Sequence, residues 1–256
     1  MSPSSAGRDA VFAATRAAAR ALHISDDAID QFLEASAPTQ IAGCRAMPEA
    51  EAAHRDASRR ARLLRQARLP VHKPVEDLDW AHVRFPDGWG RDDTLSLAFV
   101  GSCEDLVLFG QTGRGKPHMA IAPSTRAAAA GIPAGSWQTA QLVLELGNAK
   151  RDGTLAKVLG DMSRSRLLVL GGFGHVPFDA DGARLLCQVI SESYERRAIT
   201  FTTNIEFSRW GTVFADDRLA QAIVDRVVHH GRLVEFAGPS HRLESSLMLG
   251  KGGAVA

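Results

Sequence analysis

Cysteine is scarce: Cys44, Cys103 and Cys187 are the only three in 256 residues. Their odd number and wide spacing exclude a disulfide framework and match no zinc-ligand pattern, so a cytoplasmic, reducing compartment is expected. Aromatic residues make up 6% of the chain, with a single tyrosine, and no apolar run approaches the roughly 20 residues of a membrane span. Excess charge is also missing. With a net charge of +1, any affinity for nucleic acid must come from a local patch rather than the overall field. Neither a G-x-S-x-G elbow nor a Cys/His catalytic pattern stands out. His229 and His230 are adjacent and point about 100° apart on a helix, whereas a two-histidine metal site prefers i, i+4 spacing, so no metal is assigned to them. Asp179, Asp181, Asp216 and Asp217 read as residues at helix N-termini rather than as catalytic pairs.

What is present is ordinary soluble globular composition, 45% hydrophobic and 23% charged, with length for one principal domain and a modest appendage. The first segment is rich in Ser, Ala and Arg, which suits a transit peptide, while Asp9 and the Ala/Arg content suit a plain amphipathic helix equally well. Residues 1–50 are helical in pattern, with breaks expected at Pro38 and Pro48. A basic helix is predicted over 49–69, and a linker of turns over 70–90. The expected division is a helical region over 1–75, an α/β domain over 76–249 and a flexible tail over 250–256.

From residue 105 short apolar runs alternate with helical segments, the signature of a parallel α/β sheet. Strands are predicted at 105–109, 166–170, 198–203 and 232–236, with amphipathic helices at 181–194 and 217–229 between them. Two features sit badly with that plan: Pro123 should interrupt the helix after the first strand, and residues 132–136, with Pro133, make a poor strand.

The most informative stretch is DLVLFGQTGRGKPH, residues 105–118. It satisfies seven positions of the phosphate-loop pattern G-x-x-x-x-G-K-[S/T], with Pro117 at the eighth. Gly110, Gly113, Arg114, Gly115 and Lys116 are the candidate ATP-binding residues. Glycines let backbone N–H groups cradle phosphates, and the lysine reaches the β and γ phosphates. Pro117 lacks both the hydroxyl that binds magnesium and one N–H donor, and it should bias Lys116 away from helical geometry.

Downstream, FGHVPFD, YERRAITFTTN, FSRWGTVF and DRVVHH follow in order, and upstream RRARLLRQARLP precedes VEDLDW. In this combination the chain resembles the IstB family, ATP-binding helpers of insertion-sequence transposons related to DnaC helicase loaders within the AAA+ class. The resemblance implies a three-layer P-loop NTPase fold with a small N-terminal helical region. It also implies roles for single residues. Asn204 matches the polar sensor beside the γ-phosphate, Arg226 the arginine offered to a neighbouring subunit's nucleotide, and Arg242 a second sensor. The Walker B strand of the family ends in two acids, at positions occupied here by Gly171 and Gly172, which puts Mg2+ and hydrolysis in doubt.

Arg55, Arg59, Arg60, Arg62, Arg65 and Arg68 form a basic stretch with two readings, a contact with double-stranded DNA or a solvated helix whose leucines pack on the core. Three functions are therefore in view. One is a DNA-binding transposition accessory that assembles as a homo-oligomer and recruits the transposase of its element. Another is a non-catalytic remnant, and a third is a DnaC-like helicase loader.

Overall fold

Apolar residues alternate along β2 (Asp105–Gly110), with Leu106 and Leu108 on one face and Val107 on the other, and both sets are buried. A strand buried on both faces needs a layer on each side, and the computed structural model has that arrangement. It describes residues 5–70, 78–214 and 216–238. Arg242, the 250–256 tail and the 75/76 boundary lie outside the described residues.

In chain order the elements before β2 are α1 (Ser5–Ala21), α2 (Asp26–Ala35), α3 (Pro38–Gln66), β1 (Val83–Arg84), α4 (Arg91–Ser96) and α5 (Ala98–Gly101). After β2 come α6 (Lys116–Ala129), β3 (Ala134–Gln138), α7 (Thr139–Arg151), α8 (Leu155–Ser163) and β4 (Leu167–Phe173). The chain continues through α9 (Ala180–Ser193), β5 (Ala198–Thr203), α10 (Gly211–Phe214), α11 (Asp217–His230) and β6 (Gly231–Phe236).

The sheet order is β1-β6-β2-β5-β4-β3, with β1 antiparallel to β6 and every other pair parallel. Leu168, Leu170, Ile199 and Phe201 bury one face beneath α7, α9 and α11, while Val169, Leu167 and Ala198 bury the other against Met119, Ala120 and Ala127 of α6. Asp179 and Asp216 cap α9 and α11, accepting bonds from Gly182 N at 2.7 Å and from Arg218 N at 3.0 Å. At the amino end of β2, Asp105 accepts a 2.7 Å bond from Ile199 N, which joins β2 to β5. Burial pushes its carboxyl up to about 7, against the lowering effect of that bond.

The division into compact units falls within α3, between Arg62 and Leu63. In the first unit Ala19 of α1, Ile29 and Leu33 of α2 and Ile41 of α3 form a small apolar cluster. Arg16–Asp30 and Arg20–Asp26 tie α1 to α2 at 2.5 and 2.7 Å.

The break expected at Pro38 is present: α2 ends at Ala35, and Pro38 opens α3, where its missing N–H costs nothing. Three other proline expectations need correcting. Pro48 lies inside α3 without ending it. Ion pairs Arg45–Glu49, Glu51–Arg55 and Asp56–Arg60 flank Pro48 at i, i+4 spacing. Pro123 lies inside α6, which runs unbroken to Ala129. An interior proline costs roughly 3 kcal/mol, and burying Met119 and Ile121 at roughly 1.5–3 kcal/mol each offsets it. Residues 134–138 do form a strand, at the sheet edge where proline is tolerated. Pro133 precedes it and its carbonyl accepts from Arg166 N at 2.8 Å. The free edge of β3 is partly closed by Ala67, whose carbonyl accepts from Ser136 N at 2.9 Å.

Candidate functional site

Parallel strands with β5 between β2 and β4 bring three carboxyl ends together: Gly110, Gly171-Gly172 and Asn204. Ligands bind in this kind of fold at such ends, and a cavity of about 500 Å³ opens there. Gly113, Arg114, Gly115, Lys116 and Pro117 line it from the loop side. Gln138, Gly171, Gly172, His175 and Thr202 line it from the β4 side.

The loop is held from within. Gly110 has φ +149°, and a Cβ there would stand 2.5 Å from the Phe236 carbonyl oxygen, so β2 approaches β6 too closely for a side chain. Arg114 bridges the same two elements, donating to Phe236 O at 3.2 Å and to Gln111 Oε1 at 3.0 Å. Lys116 is buried, and its Nζ donates to Gly110 O at 2.5 Å and Gln111 O at 2.7 Å, bending the ammonium back over the loop. Gly115, at φ +90°, is the N-cap of α6.

Lys116 is the first helical residue, contrary to the expectation that Pro117 would drive it out of the helix. Pro117 stands in the first turn, where φ near −65° suits a helix and an N–H has no partner within it. What Pro117 removes is one of the N–H groups that would face an anion.

Gly171 and Gly172 form a bulge in β4: both stand between the pairs Leu170–Phe201 and Phe173–Thr203, opposite Thr202 alone. Gly172 has φ +66° and its N–H donates to Thr202 Oγ1 at 2.9 Å. The buried Thr139 hydroxyl donates to Gly171 O at 2.9 Å. The space outside the bulge is filled. A Cβ on Gly171 would lie 2.9 Å from Gln138 Nε2, and one on Gly172 would lie 3.0 Å from His175 Nδ1.

This donor set does not fit a protein-held magnesium ion. Pro117 has no hydroxyl, the β4 end has no carboxylate, and the Gln138 amide and His175 imidazole stand over it. Among the described lining residues Asp79 carries the one carboxylate, which accepts a bond from Ala81 N at 2.9 Å. Backbone donors and Lys116 do fit a polyphosphate.

Of the other expected residues, Asn204 is exposed just past β5, between the ends of β2 and β4. Arg226 is half-buried on α11 and donates to Ser191 Oγ on α9 at 2.7 Å, away from the loop. All six arginines of the basic stretch are exposed. Arg55 and Arg60 pair with Glu51 and Asp56, while Arg59, Arg62 and Arg65 complete the basic set on α3. Arg68 lies past the end of α3, against Glu145 at 3.2 Å and over the Trp137 ring. His229 and His230 meet Tyr194 and Glu195.

The pattern described as IstB-like ATP binding protein matches residues 35–248. The chain belongs to this family. Among its IstB-like relatives, one described as the ATP-binding protein of insertion sequence IS21 in Pseudomonas aeruginosa is 35% identical over 190 residues, 73% of this chain and 71% of that one. Its counterpart in insertion sequence IS232 of Bacillus thuringiensis subsp. berliner is 32% identical, covering 71% and 73%. Among solved structures, DnaI superposes with TM-score 0.52 at 18% identity, over 71% of this chain and 93% of its own. AMPPCP-bound DnaA from Aquifex aeolicus gives 0.53 at 16% identity, over 69% and 54%. The likeness to those two is one of fold, that of the α/β P-loop core.

Proposed function

We propose that this IstB-like protein is a nucleotide-binding accessory of insertion-sequence transposition. In this reading it acts in the cytoplasm on double-stranded DNA, as a homo-oligomer partnered by the transposase of its element, and its hydrolysis of Mg-ATP is strongly impaired. The observation that carries the reading is the unequal state of one cavity. Its loop keeps the glycine cradle and Lys116, while its β4 end presents glycines beneath Gln138 and His175.

Phosphoryl transfer depends on positioning and charge stabilisation, so losing the hydroxyl ligand, the metal-binding acid and the acid that polarises water should cost several powers of ten. Asn204 then acts as a sensor of bound nucleotide. Arg226 serves a neighbouring subunit only if it leaves Ser191. Arg242 is proposed as the second sensor on the family resemblance alone. Arg62 and Arg65 on α3 are the main DNA-facing cations, with Arg55, Arg60 and Arg68 already engaged by acids.

The test is a pair of measurements on the purified protein. It should bind a fluorescent ATP analogue while releasing phosphate no faster than background, and turnover at rates typical of AAA+ proteins would overturn the reading. It should shift duplex DNA with an affinity that falls steeply with salt.

A second reading, a non-catalytic interaction module, draws on Pro117, Gly171 and Gly172. Pro123 and the strand after Pro133 no longer support it, because both are accommodated in the fold.

A further inference from the structure

The β4 end of the cavity is rebuilt rather than empty. Gln138 ends the edge strand β3 and pairs in register with Gly171, and His175 follows the bulge, with its backbone N donating to Gly172 O at 3.2 Å. Both side chains are exposed to the cavity and lie against the two glycines at 2.9–3.0 Å from where Cβ atoms would stand. An acid at either position would have to displace them. The same space therefore holds groups able to donate hydrogen bonds where a carboxylate would only accept them.

We infer that the cavity selects a metal-free polyphosphate, with Gln138 and His175 as its donors on the β4 side. This inference rests on the nucleotide-binding reading above. Charge decides the preference. The loop offers the Lys116 ammonium, the Arg114 guanidinium and backbone N–H groups, and one lining carboxylate, Asp79, opposes them. Magnesium cancels about half the charge of a nucleoside triphosphate, which weakens every one of those attractions. In a site with acids, protein–metal bonds more than compensate for that loss. Here the ion would keep its water shell and gain no protein ligand from Pro117, Gly171 or Gly172. It would also cover the phosphate oxygens that Gln138 and His175 are placed to meet.

The experiment titrates the full chain with a fluorescent ATP analogue in EDTA and again in excess magnesium, with inorganic triphosphate as competitor. Binding in EDTA that magnesium weakens by about fivefold or more is the expected result. Inorganic triphosphate should displace the analogue in EDTA, and failure to do so would show that the phosphates do not carry the affinity and overturn the inference. Equal or tighter binding in magnesium overturns the inference and leaves nucleotide binding standing. No binding in either condition overturns both. Gln138→Ala and His175→Ala should each weaken binding in EDTA by about fivefold and change binding in magnesium much less, with thermal melts checking that each variant is folded. Unchanged affinity in EDTA for both folded variants removes them as donors.

Discussion

Two glycine turns face one cavity, and they are held in different ways. The turn after β2 is enclosed by backbone: Gly110 lies against the Phe236 carbonyl, and Arg114 and Lys116 bond to main-chain oxygens around it. The bulge at the end of β4 is enclosed by the ends of Gln138 and His175, which can swing away. The phosphate loop is thus required by how β2 meets β6, whatever chemistry it performs. The β4 end is under no comparable constraint, so its chemistry can change while the sheet stays intact.

The largest expected effect comes from the loop. Lys116→Ala should lower nucleotide affinity by about 100-fold, because a buried ammonium is lost from an anion site. Titration with the analogue checks this, and an unchanged affinity would remove the loop from the binding site. Next, Gly110→Ala should destabilise the protein by about 2–3 kcal/mol, since backbone cannot yield to the new Cβ, whereas Gly171→Ala should cost about 0.5 kcal/mol or less. Paired denaturant melts would break the comparison if the two costs were alike. The smallest effect is a change of sign. Pro117→Thr with Gly171→Asp should make magnesium strengthen nucleotide binding by about tenfold relative to the parent chain. Gly172 is best left alone, because a side chain at φ +66° costs roughly 1–2 kcal/mol.

Much of this was legible in the chain. Short apolar runs alternating with helical segments marked β2, β4, β5 and β6, and the phosphate-loop spacing located the ligand end of the sheet. Local rules failed where tertiary packing outweighed them. Pro123 was misread because the burial of its helix neighbours is invisible in sequence, and Pro48 because ion pairs accompany it in a long helix. Gln138 carried no signal, since its strand looked too poor to exist. His175 stood in plain view within FGHVPFD, but nothing in sequence says that it folds back against Gly172. The six arginines read as one basic stretch, although acids on α3 and α7 hold Arg55, Arg60 and Arg68 in ion pairs.

At the opposite end of β2, Asp105 makes folding a proton-uptake reaction. Its carboxyl ordinarily loses its proton near 3.8, and in the folded sheet it keeps it up to about 7. Between those values the native state binds more protons than the unfolded chain. Its contribution to stability is complete below the lower value and is lost as pH rises through the upper one. Refolding in a weakly buffered solution within that window should therefore turn the medium more alkaline, and Asp105→Asn should abolish that part of the shift. The strand that presents phosphate-binding glycines at one end thus carries, at the other, a chemical record of whether the domain is folded.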